Sequence, residues 1–423
     1  MLEVHVPSLA RAVITCVHEA ELLAAIRANP EDDAPRMLYA DALLDRGDER
    51  GQYIQLSLEG GYHHWLQANS TRIEGAWQAE LGCTHSNPFL TFRRGFPFLI
   101  GGAVDRIANA RDVIATFPIT SLSCWGMTSF APLAALPELR FIRSFEVNEN
   151  EPVAASVIEQ VIAAPHLAPK KLETRQTLTD EAARVWANAP WLGTLESFQT
   201  YKSPVTGAGI AALAMPAVRE LRISEVALGD QGAEAVARFG ALETVHLAAC
   251  QIGEAGARAL LASPAMQNIT VIEAANNELG AGVRSLERAP RLRALDLSNN
   301  ALEGHAVQLA RAELPSLVKL LLPGNKLTAE VMAAFASSNL RALEHLDLTS
   351  NDLGFAGVAP FEAITGLPAL RVLGLRHNSL SSGKTETIEG GDEWNPWSTV
   401  VDIELTADEI AQRLKLRAGI AVF

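Results

Sequence analysis

LRALDLSNNAL (residues 292–302), LVKLLLPGNKL (317–327), LEHLDLTSNDL (343–353) and LRVLGLRHNSL (370–380) share one template, L-x-x-L-x-L-x-x-N-x-L. Their starts lie 25, 26 and 27 residues apart. Recurrence at a near-constant period marks a chain built of one repeated supersecondary unit. Read backwards, the template continues from Ile269, Leu242, Val218 and Leu195, and in weaker form from Pro169, Ile142 and Ile119. That makes about eleven units, 23 to 27 residues long, between residues 119 and 380.

Each slot has a physical job. The L-x-L step alternates apolar and polar residues, as a short strand with one buried face requires. Leu295 and Leu297 are expected to point inward and Asp296 outward. The Asn slot holds Asn277, Asn300, Asn325, Asn351 and Asn378. A buried amide there can satisfy backbone groups of the turn that leaves the strand, so stacked units would form a ladder. Cys250 and Ser203 can partly serve in its place; Val226 cannot, and its turn is expected to be adjusted or wetter. The second half of each unit reads as helix, as in GDQGAEAVARF (229–239) and GEAGARALLAS (253–263), often followed by proline. A strand, helix and parallel strand connect by a right-handed crossover. A single unit cannot bury its own apolar face, so the units are expected to stack into a solenoid.

These residues resemble the leucine-rich repeat family over about 260 residues. The glycine near the start of each outer helix is similar to the ribonuclease-inhibitor type, although the units are shorter. The resemblance implies an α/β horseshoe with parallel strands on the concave face and helices outside. It further implies a macromolecule bound on that concave face.

Ahead of the repeats, SLARAVITCVHEAELLAAIRA (8–28) and APRMLYADALLDRG (34–47) read as helices stopped by Asn29-Pro30 and Gly47. Glu21 to Leu58, with NPEDDAPR, YAD and RGD in order, resembles a small helical repeat-companion domain that accompanies leucine-rich repeats in bacteria. Ala42 stands where that family commonly has Trp. The resemblance supplies a fold and no chemistry. The expected organisation is therefore a helical companion domain over 1–58, a connecting region and N-terminal cap over 59–118, and repeats over 119–380. An acidic linker over 381–396 and a C-terminal cap over 397–423 complete it. In 59–118, GFPFLIGGAV (95–104) suggests a strand then a helix; Thr406 with Glu409 fits a reciprocal helix cap.

Composition narrows the function classes. The chain has 423 residues, 48% hydrophobic and 20% charged, as in ordinary folded domains. Its net charge of −14 argues against nucleic acid as partner, since that affinity comes mostly from Lys and Arg on phosphate. Cys16, Cys83, Cys124 and Cys250 form no CxxC pair, so a reducing compartment, the cytoplasm, is expected. No apolar run reaches membrane-span length and no secretory signal opens the chain, so no membrane association is expected.

Catalytic and cofactor motifs are absorbed or fail. The G-x-G-x-x-A of Gly207, Gly209 and Ala212 hints at a dinucleotide site, yet it sits in phase with the other outer helices. Gly383-Lys384-Thr385 lacks the earlier glycine of a phosphate loop, because Asn378 stands there. His63, His64, Cys83 and His85 are ligand-type residues at no metal-site spacing. No cofactor, metal or catalytic set is expected.

The outward residues of the strands are more informative. Between the two strand leucines run Ser123, Glu146, Glu173, Gln199, Arg222, His246, Glu273, Asp296, Leu321, Asp347 and Gly374; Trp125, Tyr201 and Arg376 lie two positions further on. Five of these eleven are acidic. The bland reading is a solvated face. The sharper one is a partner-binding surface of Trp125, Glu146, Glu173, Tyr201, Arg222, His246, Glu273, Asp296, Asp347 and Arg376. There, aromatics and Arg would anchor a protein or peptide and the acids would steer a basic one. On this reading the chain is a non-enzymatic protein–protein interaction scaffold. The alternatives are a regulator, activating or inhibiting a partner enzyme, and an enzyme with its site in 59–118 or 381–423.

Overall fold

A computed structural model describes residues 8–423 apart from 85, 365, 391–396, 405, 415 and 417–419, and the side chains of 8–17, 363, 381–390, 397–404 and 413. The chain divides into two compact units, Met1–Leu195 and Glu196–Phe423. The division falls within the repeats.

In the first unit four helices come first: α1 (Ser8–Ala28), α2 (Ala34–Leu44), α3 (Arg50–Glu59) and α4 (His64–Glu80). The expected helices are present, and Gly47 leaves α2 with φ +75°. α4 falls in a stretch that showed no clear period in the sequence. Its buried residues are Ile73, Trp77 and the polar Gln78, so its apolar stripe is thin. The Trp77 ring packs against Phe92, Phe96 and Phe117 at centroid distances of 5.5, 6.0 and 5.7 Å. The Arg50 guanidinium lies 5.2 Å over the Trp77 ring, and that of Arg36 5.4 Å over Phe96.

Phe92 and Phe96 belong to a hairpin, β1 (Phe89–Arg93) and β2 (Phe96–Ala103), and Phe117 follows the helix Arg111–Thr116. Residues 95–104 thus give a strand leading into the helix Val104–Asn109, as expected. β2 then pairs in parallel with β3 (Ser121–Trp125), followed by β4 (Ser144–Asn148) and β5 (Lys171–Arg175). The hairpin supplies an edge that the helices cover, so the apolar end of the strand stack is not left open.

The second unit repeats one motif. β6 (Ser197–Tyr201), β7 (Glu220–Ser224), β8 (Thr244–His246), β9 (Val271–Glu273), β10 (Ala294–Asp296), β11 (Lys319–Leu321), β12 (His345–Asp347) and β13 (Val372–Gly374) lie side by side in chain order. Pairing is parallel and in register, so Asp296 sits beside Glu273 and Leu321. Leu295 and Leu297 are buried, with Asp296 outward, as the alternation required. The return halves are helical but uneven. Gly229–Val236 and Glu254–Leu261 are α-helices, whereas Gly280–Ser285 is a single 3₁₀ segment.

The Asn ladder forms. Asn325 Oδ1 accepts from the Asn300 and Leu302 N–H groups of the preceding unit at 2.9 and 3.3 Å. Its Nδ2 donates to the Leu297 carbonyl at 2.9 Å and to Leu322 and Pro323 in its own unit at 3.1 Å. Asn277, Asn300, Asn351 and Asn378 repeat this bridging role. Cys250 substitutes through its thiol, which donates to the Ile223 carbonyl at 3.2 Å. At Val226 the turn is adjusted, closing by Leu228 N–H to Val226 O at 2.7 Å.

The carboxy-terminal segment corrects an expectation. Residues 381–390, read as part of a linker because they are polar, form β14 (Ser381–Gly390). β14 pairs antiparallel with β15 (Trp397–Glu404). Thr385, Thr387 and Ile388 are β-branched and favour a strand despite the polarity. Helix Ala407–Arg413 follows, with the reciprocal Thr406–Glu409 cap present in both directions. β16 (Ala421–Val422) then adds in parallel to β13.

Candidate functional site

Parallel register places Gln199, Arg222, His246, Glu273, Asp296, Leu321, Asp347 and Gly374 in one continuous row on the outward sheet face of the second unit. The sequence singled out this row by alternation alone.

The charges in the row are more engaged than the sequence suggested. His246 is buried, and its Nδ1 lies 2.5 Å from Glu273 Oε2; its Nε2 has no hydrogen-bond partner. Asp296 accepts from the Ser298 N–H at 2.9 Å and its hydroxyl at 2.5 Å. Asp347 accepts from the Thr349 N–H at 2.9 Å. Arg222 holds Glu220 at 2.6 Å. Glu273 keeps its carboxylate half open to solvent, so it is the most available acid of the row. Tyr201 is exposed, with the Lys202 ammonium 4.9 Å over its ring. Arg376 is also exposed.

At the far end of the row the chain covers itself. The Phe423 ring lies against the place where a Cβ on Gly374 would sit, 2.7 Å away, and packs edge-on to His345 at 5.9 Å. A Cβ there would also clash with Asp347 Oδ1, so glycine is the residue type that admits both the carboxylate and the ring. Sequence patterning gave no signal for Phe423, because the contact joins positions 49 residues apart that share no repeat phase.

In the first unit the outward face carries Glu146, Glu173 and Trp125. Arg175 joins both carboxylates, at 3.1 and 2.9 Å, and Lys171 reaches Glu173 at 3.3 Å. Trp125 stacks on Phe89 with centroids 5.6 Å apart and planes 17° apart, so part of this anchor is spent on the cap hairpin.

The set-aside motifs have structural explanations. A Cβ on Gly207 would lie 2.5 Å from the Gly232 nitrogen and the Leu228 carbonyl oxygen. Gly207 thus meets the following unit, and Gly256 and Gly282 press as closely on the preceding one. The glycines therefore let successive helices approach closely. Asp230 also caps the next helix, its Oδ1 accepting from Gly253 and Gly256 N–H at 2.7 and 2.9 Å. Of the ligand-type residues, His63 contacts the Gly60 carbonyl at 2.9 Å, the His64 ring meets Tyr62, and Cys83 is buried. His85 lies outside the described residues. Burial pushes the Cys250 thiol up to about 12 and the Cys124 thiol higher still, which suits inert core sulfur. No helix among the described residues is long and apolar enough to cross a membrane.

The fold is an α/β leucine-rich repeat solenoid preceded by a helical region. A family model described as Leucine Rich repeat matches residues 339–361. Among solved structures the chain is similar to a TLR13–ssRNA13 complex, at 16% identity and TM-score 0.43, over 66% of this chain and 43% of that one. It is similar also to an internalin (inlF) from Listeria monocytogenes str. 4b F2365, at 15% identity and TM-score 0.37, over 57% of this chain and 76% of that one. The mouse RP105/MD-1 complex matches at 12% identity and TM-score 0.34, over 69% of this chain and 53% of that one. The chain thus spans less than half the length of the first of these. No curated protein matches it.

Proposed function

We propose that the chain is a non-enzymatic, cytoplasmic scaffold that holds a protein or peptide on the outward sheet face of its repeats. The observation that carries the reading is the row from Gln199 to Asp347. From His246 onward the Asn ladder ties successive units together, and the outward side chains of the row are left half-buried or exposed apart from His246. A rigid backbone presenting such side chains loses little entropy when a partner orders them. Tyr201, Arg222 and Arg376 are the anchors; Glu273, with Asp296 and Asp347, gives the acidic bias that favours a basic partner. In the first unit Glu146 and Glu173 are already neutralised, so Trp125 is the contact expected there.

The test is affinity capture from native cell extract with the full chain and with a Glu273→Lys, Asp296→Asn, Asp347→Asn variant. The asparagines keep an oxygen for the turn N–H groups while removing charge. A protein retained at low salt by the wild type and lost by the folded variant is the expected result. Identical eluates from both would show that the row is only solvated surface.

A further inference from the structure

The helix side of the second unit carries a cleft that the sheet-face reading does not use. Ile269 to Leu292 spans 23 residues, Leu292 to Leu317 spans 25 and Leu317 to Leu343 spans 26. The strand side is the same in all three, three residues in straight register. The extra residues must therefore be taken up in the returns. The first return is a thin 3₁₀ segment, the second a 3₁₀ turn and a five-residue helix, and the third the helix Ala329–Ala336. Walls of unequal thickness cannot pack flush, and a cleft of about 400 Å³ opens where the three returns turn back toward their strands. That volume is in the range of small-ligand sites.

Its lining is unusual for a chain of net charge −14. Arg288, Arg311 and Arg341 supply three guanidiniums from three successive returns, against one carboxylate, Glu313. Arg288 lies 3.5 Å from Glu313 in an exposed pair, which solvent screens heavily. The Arg341 Nε donates to Asn339 Oδ1 at 2.9 Å, which orients the guanidinium and leaves its two terminal nitrogens. Arg311 meets no carboxylate among the described residues, and it also borders an adjoining cleft with Arg284 and Glu330. Buried Ala310, Ala312 and Leu314 form an apolar floor, with Pro290 and Pro315 beside it. The edges are held by the backbone: Arg288 bridges to Glu313, and the Glu313 N–H donates to the Glu287 carbonyl at 2.8 Å.

We propose that this cleft binds a small molecule carrying an oxyanion, phosphate or carboxylate, on an apolar body. Guanidiniums match such oxyanions with paired donors, and the floor takes the body. The site is separate from the sheet face, so it stands or falls independently of the scaffold reading.

The test is calorimetric titration of the full chain with phenyl phosphate, benzoate and inorganic phosphate at low and moderate salt. Saturable binding of phenyl phosphate or benzoate is expected, tighter than inorganic phosphate and weaker at higher salt. The stronger of the two probes identifies the oxyanion. An Arg311→Gln, Arg341→Gln variant should lose about tenfold in affinity, and Arg288→Gln less, with unchanged melting temperature because all three are exposed. The proposal is overturned if neither organic probe saturates, if inorganic phosphate binds as well as both, or if the double variant binds equally.

Discussion

At the scale of single residues, the turn after each strand shows what the template encodes. The residue before the Asn slot is left-handed in unit after unit: Asn276, Asn299, Gly324, Ser350 and His377, and likewise Glu225 and Ala249 where the Asn is missing. Most carry a side chain, which costs about 1 kcal/mol in this conformation. The ladder offsets that cost by satisfying the turn's buried backbone. Asn325→Ala would strand two N–H donors and their carbonyl counterparts, and should lower stability by about 3 kcal/mol in urea unfolding. A loss under about 1 kcal/mol would show that water replaces the amide. Ala249→Gly should act oppositely, raising stability by up to about 1 kcal/mol by relieving the left-handed Ala; a decrease would mean that chain entropy outweighs the strain.

Elements divide into those that obey the repeat and those that do not. The strands and the Asn slot were readable because period and burial agree at every unit: one alternation, one inward face. The helix α4, strand β14 and the Phe423 contact were not. α4 buries too narrow a stripe, β14 looks like linker by polarity, and Phe423 joins distant positions. The helical returns were readable in kind but not in thickness, because the template fixes the strand side alone. His345 shows how the end of the unit responds to its surroundings. Burial first, and then Lys319, push its imidazole below the usual histidine range, against the opposing pull of Asp347. A base depressed on folding contributes its full stability above the unfolded value of about 6.5, and that contribution falls as pH drops below it. The wild type should therefore lose more stability than His345→Gln between neutral and mildly acidic pH. Equal losses in urea unfolding would place His345 outside the balance.

For the whole molecule, the two sides of the repeats differ in regularity. The sheet side is uniform, so it presents a regular row; the helix side varies in length, so it opens a cleft. Of the sequence-derived site, the positions in the row were found by alternation. What alternation could not give was which charges remain available, since that depends on neighbours one strand away, as with Arg175 across Glu146 and Glu173. Glu273, Tyr201 and Arg376 stay open, and the partner contact is expected to centre on them.

The most direct test is carboxylate footprinting of the full chain with and without a captured partner. Labelling of Glu273, Asp296 and Asp347 should fall when the partner binds, while Glu234 and Glu330 on the helix side label as before. Protection of Glu234 and Glu330 with unchanged Glu273 would contradict binding on the sheet face.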